Sequence, residues 1–209
     1  MIHTLDEKFM RDMVKVFVET LEELRDWLLK NHDQAESVWL VKWKKGFGPS
    51  HLSYEALVDE LLCFGWVDSL PKRLDHQKTM LRISPRNPAS NWSKVNKERI
   101  ARLTQEGRME APGLKVVEEA KQNGAWDFLD DVEQLIVPPD LEEAFKGNDK
   151  AKYYYDRFPA SSKRGILEWI KNAKQASTRQ RRITETVRKA SQNLKANFPQ
   201  GKDAGPQEG

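Results

Sequence analysis

The chain has 209 residues, 38% of them hydrophobic and 32% charged, with a formal net charge of +3. This composition supports a packed core under a highly charged surface, in one large domain or two small ones. It offers no run near the roughly 18–20 apolar residues of a membrane helix, and a single cysteine, Cys63, excludes an intramolecular disulfide.

The opening stretch MIHTLDEKFMRDMVK lacks the apolar centre of a signal peptide, so a cytoplasmic location is expected. A β-branched run follows from Val14 to Val18. Thr20 with Glu23 three residues on is a capping box, and Leu21, Leu24, Trp27 and Leu28 recur at helical spacing. SVWLVKWKK alternates Trp39, Val41 and Trp43 as a strand does. A glycine-proline loop then leads into a helix capped by Ser53, with Leu57, Leu61, Leu62 and Phe64 on its apolar face. Cys63 sits in this apolar run and is expected to be a buried thiol. GWVDSLPKRLDHQKTMLRISPR predicts two strands around a turn, the first an edge strand or irregular at Pro71. After the loop PRNPAS, a helix is predicted from about Asn91 to Glu106, with Gly107 as its stop.

From Ala111 onward the pattern is helical, with no convincing strand. PGLKVVEEAKQNG and PPDLEEAFKGN each open on proline and close on glycine. DKAKYYYDRF continues the pattern. ASSKRGILEWIKNAKQ is predicted to be capped by Ser161 or Ser162, with Ile166, Trp169, Ile170 and Ala173 inward. STRQRRITETVRKASQNL is predicted to be capped near Thr178, with Ile183, Val187, Ala190 and Leu194 as its stripe. The expected fold is α+β: a small N-terminal antiparallel or mixed sheet with helices over residues 1–109, then an all-helical region over 110–196. The polar, glycine-proline-rich end, 197–209, is expected to be disordered.

Charge is distributed unevenly. Residues 78–108 carry eight Lys/Arg against two Asp/Glu, and residues 163–189 carry nine against two. Residues 1–36 and 110–149 are acidic, with nine and eleven Asp/Glu against five and three Lys/Arg. Either these blocks pair across the fold, or the basic ones form a patch for a phosphate-bearing ligand.

The densest polar cluster lies between Leu81 and Met109. Wound at about 100° per residue, the predicted helix places Trp92, Val95, Ile100 and Leu103 on one face, with Asn96 and Arg99 inside that face. Partly buried polar groups need partners. Asn96 either bonds the preceding loop or contacts a ligand; Arg99 either pairs with a carboxylate such as Asp68 or holds an anion. A helix start beside Arg86, Ser90, Asn91 and Ser93 is a ready site for a phosphate or carboxylate. The candidate ligand-binding set is therefore Trp66, Asp68, Arg82, Arg86, Ser90, Trp92, Ser93, Asn96 and Arg99. Arg179 and Arg182, in a first helical turn where cations oppose the helix dipole, form a second basic candidate.

Four stretches resemble one family. CFGWVDS, RISPRNPASNWSKVNKERIARLTQEGRM, GLKVVEEAKQNGAW and AKQASTRQRRI are similar to the YdeI/OmpD-associated, or bacteriocin-protection, family, over about Ser37 to Ala190. Its pattern appears as GWxD at Gly65–Asp68, PR at Pro85–Arg86, S-x-W-S-x-x-N at Ser90–Asn96 and G-R-M-x-x-x-G at Gly107–Gly113. Ser69 and Ser84 stand where many members have glycine and threonine. The resemblance implies a bacterial stress or bacteriocin-protection role and carries no catalytic residues.

Three functions compete. The chain is expected to bind an anionic small molecule through the residues named above. Alternatively, its two basic segments hold nucleic acid, with Trp66 or Trp92 stacking on bases. As an enzyme, it would use Asp68 as general base, with Arg82 or Arg86 stabilising developing negative charge. No metal-ligand spacing, nucleophile elbow or cofactor motif is present, so no metal or cofactor is expected.

Overall fold

The computed structural model describes residues 13–49 and 51–198. The stretch read for a signal peptide lies largely outside these residues, as does the expected disordered tail from residue 199 onward. The chain divides into two compact units at Phe128/Leu129.

The first unit is α+β. Strand β1 (Lys15–Phe17) leads through helix α1 (Leu21–Asn31) to β2 (Val38–Trp43). Helix α2 (Tyr54–Cys63) precedes the hairpin β3 (Trp66–Arg73) and β4 (Lys78–Pro85). Helices α3 (Lys94–Gln105) and α4 (Ala111–Gln122) complete it. The sheet has the order β1-β2-β4-β3, with β1 parallel to β2 and the other pairs antiparallel, so it is mixed. Strand β3 is an edge, and its register slips between Asp68 and Pro71. Both consequences expected of Pro71 are met, because proline offers no N–H to a ladder.

Local chemistry sets these elements. The Thr20 hydroxyl accepts the Glu23 N–H at 3.2 Å, while the Glu23 carboxylate reaches back to the Glu19 N–H at 2.7 Å. Ser53 caps α2 through the Ala56 N–H at 3.1 Å. The hairpin turn is tied by the Asp75 carboxylate, which accepts the N–H groups of Gln77 and Lys78, each at 2.7 Å. Strand β2 is buried on both faces: Val38 and Leu40 join the main core, while Trp39 and Val41 pack with Met13 and Met80. Trp43, on the same face as Trp39 and Val41, is half-buried.

Helix α2 packs on β3, α1, α3 and α4, and every residue from Leu57 to Cys63 is buried. Two of its residues are acids, Asp59 and Glu60. Gly65 and Gly113 let α4 close on the end of this helix. A Cβ on Gly113 would lie 2.2 Å from the Cys63 carbonyl oxygen, and one on Gly65, at φ +73°, would meet Val116.

The second unit is helical: α5 (Asp130–Glu133), α6 (Pro139–Phe145), α7 (Asp149–Arg157), α8 (Ala160–Lys171) and α9 (Ala176–Ala190). Among its described residues there is no strand. Helix α9 packs on α6, α7 and α8. Ile166, Leu167, Ile170, Ile183 and Ala190 are buried as the periodicity requires, whereas Trp169, Ala173, Val187 and Leu194 are only partly covered.

Three helix starts differ from expectation. Helix α3 begins at Lys94 with Ser93 as cap, because the preceding residues are held off the helix: the Trp92 N–H donates to the Ala125 carbonyl at 3.3 Å, and the Asn91 carbonyl accepts from Arg86. Trp92 is therefore not a helical residue, and Val95 is 57% exposed instead of inward. Helix α8 is capped by Pro159, not by Ser161 or Ser162, and α9 by Gln175 instead of a residue near Thr178. Neither start has a side-chain cap bond, so serine and threonine placement gave a misleading signal.

Candidate functional site

The polar cluster resolves into separate groups. At its centre the chain leaves β4, and the Arg86 N–H donates to the Gly65 carbonyl at 2.9 Å. This bond locks the PR pair against the GW pair, extending the Trp66–Pro85 ladder contact. The Arg86 side chain then turns under the loop. One Nη donates to the Asn91 carbonyl at 2.6 Å and makes a long 3.5 Å contact with the Ser90 carbonyl. Its guanidinium carbon lies 3.8 Å from the centre of the Trp92 ring. Trp92 packs in turn on Trp126, with ring centroids 5.0 Å apart. The loop is pinned from outside by the Asn123 side-chain amide, which donates to the Pro88 carbonyl at 3.0 Å.

Arg86 is only 8% exposed and, among the described residues, has no carboxylate partner. Burial without a compensating carboxylate pulls its pKa down to about 10. Two buried donors here have no hydrogen-bond partner among the described residues: Arg86 Nε and Trp92 Nε1. Close by, Ser93 caps α3 by accepting the Asn96 N–H at 3.4 Å, so the positive end of that helix dipole starts one residue after Trp92. Asn96 is partly buried.

The other candidates have different occupations. Trp66 is fully buried, donates from Nε1 to the His32 carbonyl at 3.1 Å, and packs edge-on against Trp27. Asp68 accepts the Tyr54 hydroxyl at 2.8 Å. Burial, then this bond, raises the Tyr54 pKa, keeping the phenol protonated. Asp68 pairs with Ile83 across the ladder and shares its face, so the adjacent Arg82 points to the opposite face. Arg82 there donates to the Ser37 hydroxyl at 3.2 Å, with its Nε buried and without a hydrogen-bond partner among the described residues. An Asp68 base and an Arg82 stabiliser thus cannot act on one atom.

Arg99 pairs with Asp59, not Asp68, at 2.6 Å. Asp59 also holds Arg102 at 2.6 Å, and Glu60 holds Arg25 at 2.5 Å and Arg108 at 2.9 Å. Arg25 continues to Glu110. These two buried acids of α2 organise three helices and the G-R-M turn, and the sequence reading missed them. Their signal was visible: DE inside ALVDELLC lies where both helix neighbours are apolar. The thiol of Cys63, on the next turn, is buried, and burial pushes its pKa up to about 11, which keeps it protonated at neutral pH.

In the second unit, Arg179 grips Asp140 in a two-pronged contact, 2.6 Å from Nε and 2.9 Å from Nη. An acidic side chain thus answers the cation placed in a first helical turn. Arg182 donates to the Trp169 carbonyl and lies over that residue's ring. Lys171 pairs with Asp131 at 2.6 Å, and Arg164 lies 3.7 Å from Glu133. Much of the basic surplus in both segments is therefore paired within its own unit.

Among the described residues no group of His, Cys, Asp or Glu could hold a metal ion, and no helix is long and apolar enough to cross a membrane.

Two family models match the chain. Residues 16–116 match a domain of unknown function (DUF8412), and residues 134–193 match "Bacteriocin-protection, YdeI or OmpD-Associated". No curated protein and no solved structure matches. The GWxD, PR, S-x-W-S-x-x-N and G-R-M-x-x-x-G stretches fall in the first match; AKQASTRQRRI falls in the second. The helical segment 134–193 is thus similar to the bacteriocin-protection, YdeI or OmpD-associated family.

Proposed function

We propose that the protein binds a small carboxylate- or phosphate-bearing molecule at Arg86, Trp92 and the start of α3. The observation that carries this is the buried Arg86 guanidinium, which has no carboxylate partner among the described residues. Buried cations are ordinarily paired, and this chain pairs Arg25, Arg99 and Arg108 with acids in the same unit. The unused Nε of Arg86 and Nε1 of Trp92 supply donors, and the helix dipole adds favourable potential. An anion reaching these groups would offset the cost of burying the charge.

Nucleic acid is the weaker candidate, because Arg99, Arg102 and Arg108 are engaged with Asp59 and Glu60. The test is a thermal-shift series with organic acids, sugar phosphates, nucleotides and short oligonucleotides at two salt concentrations. A ligand at 100 times its Kd stabilises by about 2.7 kcal/mol, which for a chain of this size raises Tm by about 5–10 °C. That rise is expected from a small anion and is expected to vanish in Arg86→Met. A rise from oligonucleotides alone, fading with salt, would replace this function with nucleic-acid binding. A flat response to every small anion would refute it.

A further inference from the structure

The second unit holds a cavity of about 150 Å³, lined from α5, α8 and α9. Its floor is Val132, Leu167 and Ile170, all at most 4% exposed, and its rim carries Pro138 and Ile136, the latter 54% exposed. Ile136 is fixed there by the way α5 ends. The Leu135 N–H donates to the Val132 carbonyl at 3.0 Å, and the Ile136 N–H to the Asp131 carbonyl at 2.9 Å. This is a Schellman closure, with Leu135 at φ +59° in the left-handed position where glycine is usual. A bulky residue is rarely held in that region, and such positions gather at ligand sites.

The three charged groups that line the cavity are each answered by a partner. Lys171 pairs with Asp131 at 2.6 Å, and Arg179 holds Asp140 through Nε and one Nη. An ion entering here would give up hydration without meeting an unpaired counter-charge, which is costly. A neutral apolar body has little hydration to lose and gains contact with the floor. We propose that this cavity binds a small neutral molecule with a single-ring body. Apolar cavities of about 150 Å³ take up benzene, so one ring on Val132, Leu167 and Ile170 matches the space. Interiors are otherwise close-packed, and a ring here would supply contacts that the empty space forgoes. A hydroxyl on that ring's side chain would stay in water at the Ile136 rim. The site is distinct from the Arg86 cluster and does not depend on it.

The test is methyl-resolved NMR of the full chain titrated with benzyl alcohol, and separately with benzoate and benzylammonium, which share its ring and differ in charge. Saturable shifts from benzyl alcohol are expected at the methyls of Val132, Ile136, Leu167 and Ile170. At these same methyls the two ions are expected to bind at least about tenfold more weakly, since each would leave water for a site whose charges are already paired. Ile136→Ser, at an exposed rim position, should weaken benzyl alcohol about fivefold by removing the apolar wall. Asp140→Asn releases the Arg179 charge. It should raise benzoate affinity severalfold while leaving benzyl alcohol within about twofold. Arg86→Met should change none of these affinities, which separates this site from anion binding in the first unit. Absence of a saturable shift at those methyls overturns the proposal. So does benzoate or benzylammonium binding there as tightly as benzyl alcohol, or Ile136→Ser with undiminished affinity.

Discussion

Replacing Arg86 by Met separates a poised binding group from a structural keystone. Each pKa unit corresponds to about 1.4 kcal/mol, so depression of the Arg86 pKa to about 10 marks a desolvation cost of about 3 kcal/mol at neutral pH. The sign follows from proton linkage. The folded state releases this proton more readily than the unfolded one, so the penalty is full at neutral pH and is relieved as pH rises above about 10. Arg86→Met removes that cost. It also removes a charge-assisted hydrogen bond to the Asn91 carbonyl, about 1.5–3 kcal/mol, and a buried contact with the Trp92 ring, about 2 kcal/mol. Gain and loss nearly cancel, and the expected change is within about 2 kcal/mol. Glu60→Gln is the contrast. Glu60 is buried between Arg25 and Arg108, and disrupting such a pair costs about 3–5 kcal/mol. Denaturant unfolding at pH 7, without added anions, measures both. The reasoning fails if Arg86→Met is as damaging as Glu60→Gln, for the guanidinium would then be fully satisfied by its own loop.

Two further outcomes follow from the same geometry. Gly113→Ala should cost more than about 3 kcal/mol, since its Cβ would strike the Cys63 backbone oxygen. Gly107→Ala, with open space around it and φ +68°, should cost only about 1–2 kcal/mol of left-handed strain, and denaturant midpoints distinguish the two. The Arg179 contact holds the Asp140 carboxyl below its usual range. Its stabilisation is therefore present above the unfolded carboxyl pKa, near 4, and is lost as pH falls through the lower folded value. The pair is partly exposed, so Asp140→Asn should cost about 1 kcal/mol or less at pH 7. Melting curves of the two proteins should converge in acid; a gap that persists there would show that the carboxylate charge is not responsible.

What the sequence determined by itself is local. Capping at Thr20 and Ser53, the alternation of β2, the irregularity at Pro71 and the proline-opened helices all follow from interactions within a few residues, and all appear in the structure. Gly65, Gly107 and Gly113 were legible as positions of the GWxD and G-R-M-x-x-x-G motifs. Their reason was not, because the close approach of Gly113 to Cys63 joins residues far apart in the chain. The starts of α3, α8 and α9 shifted for the same reason or for lack of a side-chain cap. Trp92 could extend the helical pattern, but a hydrogen bond to Ala125 and stacking on Arg86 hold it out. Only tertiary structure decided which charges meet. Periodicity can place Arg99 on a half-buried face, yet choosing Asp59 over Asp68 requires knowing that α2 lies against α3. It also placed Asp68 and Arg82 on opposite faces of the sheet and left Arg86 buried without an acid. Partner choice among ions depends on distance in space, which sequence spacing encodes only within a single helix or strand.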